Sequence, residues 1–410
     1  MVATPSVDLT ERQQRVLRAI EAAEAATRKT SEFIHANPEI AMTEEKSSAA
    51  LADLMEEFGF EVERGVGGVK TAFVAKRGSG GPVIGFLAEY DSLPEVDHGC
   101  GHNLIAGSNG IAGIGLAAAL EDLPGTVIVY GCPAEEAIGG KVYMANAGVF
   151  DGLDIALTTH PGAGGGNTDN PIAEGTGLSL AWQEIETVFH GQSAHAAADP
   201  ENGINSLNAV MLVFHGMDSL RQHVKASVRM HGIITHGGTA PNVTPDYARA
   251  RFFVRAESLK ETAELAEKVR RIAEGAASMT GARLEFILPH PPYADLVPNY
   301  HMQTRIKHWL DALGMELPDA VPSPGRGSTD VGNVSYLAPT ACAGFPITEG
   351  LVPWHSRIVH EAAGSEMGYQ AMLTAGAAVA LTGLDYLENP ESIAAATAEW
   401  KQRVADRTTE

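Results

Sequence analysis

Cysteine is scarce, with three residues in a chain of 410. That excludes a disulfide framework and fits a reducing, cytoplasmic compartment. Basic residues are also few: Lys and Arg number 29 against 51 Asp and Glu, a formal charge of −22 at pH 7. A surface this acidic repels phosphate backbones and anionic lipid, so neither nucleic acid nor membrane is expected as a partner. Long apolar runs are missing. The most apolar window, Leu104–Leu120, is broken by Ser108, Asn109 and four glycines, and reads as a buried helix rather than a membrane span. The opening MVATPSVDLTERQQR has no basic stretch followed by an apolar one, so no signal peptide is expected. No H-E-x-x-H, G-x-S-x-G, C-x-x-C or Walker A sequence occurs. Gly110, Gly113 and Gly115 form G-x-x-G-x-G, the wrong order for a dinucleotide fingerprint and with no strand before it.

Hydrophobic residues make up 44% of the chain and charged residues 20%, enough to bury a full core, and the length suggests two or three domains. Thr10 opens a helical pattern running to about His35, with Gln13 placed for a capping box. A second helix follows Thr43, with Glu44 and Glu45 near its positive end, and Gly59 closes it. Val69–Lys76 and Pro82–Glu89 read as strands joined by a glycine-rich turn. The runs VIGFLAE, TVIVYG and DIALTT are almost continuously apolar, as in strands covered on both faces, and the helices between them imply parallel connections. From about Ala181 the order becomes β-α-β-β-α-β, the ferredoxin-like unit. After the joint PHPPYADLVP the α/β pattern resumes. The expected architecture is a mixed, largely parallel sheet flanked by helices, formed by 1–180 and 296–410. Residues 181–295 are inserted as a ferredoxin-like α+β domain.

Open α/β sheets place their chemistry beyond the carboxyl ends of the strands. There this sequence concentrates polar residues: Asp91, then Cys100-Gly101-His102, after one strand; Glu135-Glu136 after the next; His160 after a third; His355 after a late strand. Cysteine, histidine and glutamate are the ligand set of Zn²⁺ or Mn²⁺. Adjacent carboxylates can divide labour between holding metal and moving protons, and spacing alone does not say which turns to the metal.

The segments GFLAEYDSLPEVDHGCGHNLIAG, YGCPAEEAIGGKVYM, HGQSAHAAADPENGINSLNAV and HGGTAPNVTPDYA resemble the M20 family of metallopeptidases and amidohydrolases. The likeness is strongest to the branch of the aminobenzoyl-glutamate hydrolases and the Xaa-Arg dipeptidase-like proteins. It implies a catalytic domain with two divalent ions, Zn or Mn, and an inserted lid domain that forms a homodimer or higher oligomer. Cys100 would bridge the ions, with His102, Glu136, His160 and His355 as further ligands and Asp91 as support. Glu89 stands where many members have a ligand histidine, and Asn103 where the auxin-conjugate hydrolases have aspartate, which weakens any transfer of substrate from that branch. Glu135 would be the general base and His195 the lid histidine that binds the oxyanion in the partner's active site. Asn242 would contact substrate, and Arg326, in PGRGSTD, would pair with a substrate carboxylate. His35, His98 and His236 take no role.

The implied reaction is hydrolysis of an amide in an N-acyl amino acid or dipeptide-like small molecule, by a metal-bridged hydroxide whose proton passes through Glu135. Two alternatives stay open: a hydrolytic deaminase of an aromatic amine using the same centre, and a non-catalytic binding protein on the same fold.

Overall fold

The computed structural model describes residues 5–164, 169–323 and 327–409. In chain order the strands are β1 (Glu61–Arg64), β2 (Phe73–Ser79), β3 (Val83–Glu89), β4 (Gly125–Cys132), β5 (Ile155–Ala163), β6 (Ala181–His190), β7 (Arg229–His236), β8 (Tyr247–Ala256), β9 (Arg283–Ile287) and β10 (Thr340–Thr348). The helices are α1 (Glu11–Ala36), α2 (Glu45–Glu57), α3 (His102–Ala117), α4 (Gly140–Asn146), α5 (Ser206–Leu220), α6 (Leu259–Thr280), α7 (Tyr300–Ala312), α8 (Val331–Ser335), α9 (Arg357–Ala363), α10 (Glu366–Glu388) and α11 (Pro390–Thr409). They form two compact units. The smaller comprises Ser179–Asp295 with a short later stretch ending at Ser328; the rest of the chain forms the larger.

The larger unit is built on a sheet of order β1-β2-β4-β3-β5-β10. β4, β3, β5 and β10 run parallel, whereas β1 pairs with β2, and β2 with β4, in antiparallel fashion. The sheet is therefore mixed and largely parallel, as expected. Helix α3 is its centrepiece. All 16 of its residues are buried, and α1 and α10 pack beside it in one core with Phe86, Val129 and Leu157 of the sheet. Among the described residues, His102–Glu121 is the one helical stretch long and apolar enough to cross a membrane, and it is 89% buried in this unit.

Three details differ from the sequence reading. The strand expected from Val69 begins at Phe73, because Gly67 and Gly68 hold left-handed backbone and turn the chain from β1 into β2. β2 and β3 are joined by the glycine-rich turn but do not pair, since β4 lies between them. Glu44, an acid expected to favour the positive end of its helix, is the N-cap of α2, but its side chain makes no cap bond and reaches elsewhere.

In the smaller unit β6–β9 form an antiparallel sheet of order β7-β8-β6-β9. Alternation sends Ile185, Phe189, Phe252 and Val254 to one face, where they pack with Val210 and Val213 of α5 and Leu265 and Val269 of α6. Ser258 caps α6 by accepting from the Glu261 amide, and Gly281 ends it in left-handed backbone, so both of its termini follow the sequence signals.

Close helix packing reverses an ordinary preference. A helical Gly→Ala change gains about 1 kcal/mol of propensity, and Gly275 in α6 has open space around it. At Gly113 a Cβ would stand 2.3 Å from Val129 Cγ2, and overpacking costs about 1–3 kcal/mol. Thermal unfolding should show Gly275→Ala raising the melting temperature and Gly113→Ala lowering it.

Candidate metal centre

The parallel strands β3, β4, β5 and β10 deliver their carboxyl ends to one edge of the sheet, and the site is assembled there. Gly101 makes the sharpest turn. Its φ is +77° and a Cβ would lie 2.9 Å from Pro161 Cγ, so only glycine lets α3 start with His102 facing the strand ends. Ala134 (φ +61°) and His355 (φ +54°) also hold left-handed backbone, at about 1–2 kcal/mol each for a residue with a Cβ. Such strain concentrates where a side chain must be aimed.

Three groups of donor atoms result, each with its atoms within 4.8 Å of one another: Cys100, His102 and His160; Cys100, Glu136 and His355; Glu89, His102 and Glu135. Cys100 and His102 are each shared by two groups. Neighbours fix the imidazoles. His102 Nδ1 is 2.9 Å from Asp91 Oδ1, and His160 Nδ1 is 2.7 Å from the Pro161 carbonyl. In neutral rings those contacts place the proton on Nδ1 and leave Nε2 as a lone-pair donor. His160 Nε2 is 3.6 Å from Cys100 Sγ, and His355 Nε2 is 3.3 Å from Glu136 Oε1. Trp354 Nε1 donates to the sulfur at 3.3 Å.

Two features suit this set to cations. His102 Nε2 and Glu136 Oε1 are buried, 3.7 Å apart, and without a hydrogen-bond partner. Buried polar atoms normally have one, and a metal ion supplies it. Burial and the neighbouring Glu136 also push the Cys100 thiol well up, so a thiolate there needs a positive charge beside it.

The two adjacent glutamates are pushed apart. Burial, Glu89 and Glu136 raise Glu135 well above the ordinary carboxylate range. Burial acts the same way on Glu136, but His355 and His102 outweigh it and bring that group down to about 2. Opposite shifts in a carboxylate pair mark different roles, one group suited to carrying a proton and one to staying ionised.

Sequence reasoning missed Lys141. It is fully buried at the start of α4, with Nζ 2.7 Å from Glu89 Oε1 and also bonded to Asp330 Oδ1, while its backbone amide donates to Asp330 Oδ2. Its only sequence signal is a lysine five residues beyond Glu136 in an otherwise apolar helix start. His35 stacks on His360 at 4.3 Å and on His98 at 5.9 Å, joining the end of α1, the Cys100 loop and α9. His236 ends β7 against Tyr247.

Of the remaining expected residues, His195 and Asn242 lie in the smaller unit on neighbouring segments. His195 bridges to Val243, and the Ala196 amide donates to the Asn242 carbonyl. His195 Nδ1 accepts from the amides of Ala197 and Ala198 at 3.2 and 3.1 Å. The neutral ring therefore carries its proton on Nε2, as an exposed donor. Arg326 lies outside the described residues.

The donor set and its position beyond the strand ends define a class, the metallohydrolases built on an α/β sheet. A family model described as the peptidase dimerisation domain of M20 proteins matches residues 176–279. The chain is 35% identical over 353 residues to Xaa-Arg dipeptidase of Mus musculus, spanning 83% of this chain and 80% of that one. It is 37% identical over 287 residues to one of the two chains of p-aminobenzoyl-glutamate hydrolase of Escherichia coli, spanning 65% and 58%. A solved Bacillus subtilis structure, described as a dinuclear metal-binding peptidase of the M20 family, aligns at TM-score 0.57 and 23% identity over 87% of this chain and 98% of the other. The chain belongs to the M20 family of metallopeptidases and amidohydrolases, enzymes that hydrolyse amide bonds.

Removing one partner of a buried ion pair costs about 3–5 kcal/mol, because the other charge is left uncompensated. Lys141→Met should destabilise the larger unit by about that amount in chemical denaturation, and adding Asp330→Asn should return part of the loss.

Proposed function

We propose that the chain hydrolyses the amide bond of an N-acyl amino acid or dipeptide-like substrate with two divalent ions. The observation that carries this reading is the shared position of Cys100 and His102 between donor groups, with orphaned acceptor atoms turned towards one another. Cys100, His102, Glu136, His160 and His355 would hold the ions, and zinc or manganese suits that mixture of thiolate, imidazole and carboxylate. When bound, the ions make water nucleophilic near neutral pH and polarise the amide carbonyl. Glu135 takes the proton from the attacking water on a carboxylate oxygen and passes it to the leaving nitrogen. Asp91 keeps His102 in the tautomer that offers Nε2. His195 donates Nε2–H to the developing oxyanion, and Asn242 and Arg326 position the substrate, Arg326 through its carboxylate.

We take the larger unit as the catalytic domain and the smaller as a lid that dimerises. The dimerisation-domain match and the uncovered edge strand β7, with Ile233 and Ile234 exposed, support pairing with a second copy. A cytoplasmic location would keep Cys100 reduced. The names of the relatives favour amide substrates over the deamination of an aromatic amine. A panel of Xaa-Arg dipeptides, aminobenzoyl-glutamate, N-acyl amino acids and aromatic amines separates the two, read as released amino acid against released ammonia.

Glu135→Gln is expected to keep both ions in elemental analysis while losing about 10²–10⁴ in kcat. Glu136→Gln should lose metal. The reverse pattern would exchange their roles.

His195→Ala should cost on the order of 10²–10³ in rate. Mixing it with the Glu135→Gln variant and allowing the protomers to exchange should restore activity, to about half per heterodimer, since one site of the two then has both groups. Heterodimers as inactive as their parents would rule out donation of His195 from one protomer to its partner.

A further inference from the structure

Glu44 is a buried carboxylate that the mechanism above does not use. It is fully inaccessible to solvent, and it sits at the start of α2 without capping that helix. Its Oε1 accepts from the Ala134 amide at 2.9 Å and from the Met42 amide at 3.0 Å, and its Oε2 accepts from Thr71 Oγ1 at 3.0 Å. Burying a carboxylate is expensive, and a neutral helix cap would have served α2 alone.

The acceptor's target explains the expense. Ala134 immediately precedes Glu135, and its φ of +61° is a backbone conformation that a residue with a Cβ avoids. The loop beyond β4 also closes on itself. The Ala134 carbonyl accepts from the Gly139 amide at 2.8 Å, and the Pro133 carbonyl from the Gly140 amide at 3.1 Å. Gly140 has to be glycine, since a Cβ there would lie 2.1 Å from the Pro133 oxygen. Two carboxylates from outside hold this loop on either side of Glu135: Glu44 takes the Ala134 amide, and Asp91 Oδ2 takes the Glu136 amide at 3.0 Å. Asp91 also faces His102, so its side of the clamp is tied to the candidate ligands. Glu44 is tied instead to Thr71, whose carbonyl accepts from the Tyr90 hydroxyl beside the end of β3.

We propose that Glu44 is a positioning residue for Glu135. It holds the Ala134 amide in the left-handed turn that aims the general base, and it touches neither substrate nor the candidate ligands. The proposal rests on the role of Glu135 given above. What it requires of Glu44 is reach: an acceptor oxygen at the length of a glutamate side chain, with charge secondary.

Two conservative variants separate reach from charge. Glu44→Gln keeps an acceptor at the same distance without the charge, and Glu44→Asp keeps the charge one carbon short. Misplacement by about 1 Å can cost on the order of 10²-fold in rate. Glu44→Asp should therefore lose about 10- to 100-fold in kcat, with KM within about twofold and metal content unchanged. Glu44→Gln should stay within about threefold of the parent. Hydrogen exchange of the metal-free proteins gives a readout independent of turnover: the Ala134 amide should exchange at least about tenfold faster in Glu44→Asp and at the parental rate in Glu44→Gln. The proposal is overturned if the glutamine variant is impaired as much as the aspartate variant or more, if neither is impaired, or if Glu44→Asp loses metal or raises KM in step with its loss of kcat. Should Glu44→Asp fail to fold, Glu44→Gln decides alone: retained kcat and Ala134 protection sustain the proposal, and loss of either overturns it. Glu135→Gln assayed alongside distinguishes the two readings. An active Glu135→Gln removes the general-base assignment and with it the catalytic purpose of the clamp, whereas an inactive Glu135→Gln beside a fully active Glu44→Asp overturns only the role of Glu44.

Discussion

Asp91 is the point on which the site depends. One of its oxygens faces His102 Nδ1 and the other accepts the Glu136 amide, so a single buried carboxylate sets a ring orientation at the start of α3 and a backbone position after β4. Three elements far apart in sequence are thereby fixed to one another through two contacts of about 3 Å. Replace Asp91 with an apolar residue and His102 loses its tautomer while the Glu136 amide loses its acceptor.

The electrostatic cost of this arrangement is high. Glu44, Glu89, Asp91, Glu135 and Asp330 are all buried, and Glu136 is nearly so. Lys141 is the buried cation among them, and it faces Glu89 and Asp330. Negative charge in such excess is tolerable in three ways: protonation, acceptance of amide hydrogens, or bound cations. Each way has its residues here. Glu135 is driven towards its protonated form, Glu44 and Asp91 accept amides, and Glu136 stands among imidazoles and a thiol that suit metal. The same excess makes the proton on Glu135 a property of the whole cluster rather than of one side chain.

Much of this was legible in the sequence because the information was local. An apolar strand followed at once by Cys-Gly-His or Glu-Glu announces a strand end carrying polar groups, and the apolar runs themselves point to a parallel sheet. Other parts were hidden for identifiable reasons. β1 is four residues long, mostly charged and at an edge, so it has no hydrophobic pattern to read. α11 buries only a shallow stripe that includes Ser392 and Ala396, too thin to register against a polar background. The placement of β4 between β2 and β3 is a decision of the whole sheet, which no turn sequence records. Glu44 and Lys141 were invisible for a third reason: each sits at a helix start, where a charged residue needs no explanation, and each acts on a partner about 50 or more residues away or on another element.

Helix α3 joins the interior of the protein to its chemistry. It begins with His102, and every residue from there to Ala117 is buried, a span of about 24 Å at 1.5 Å per residue. A ligand that belongs to the first turn of the central core helix cannot be free energetically of the rest of that helix. Whatever binds at His102 draws the folded state with it by mass action, and whatever loosens the packing along α3 weakens that binding by the same free energy. Metal affinity then becomes a remote gauge of core quality, and the cell's supply of divalent ions becomes one of the determinants of how much of this protein is folded.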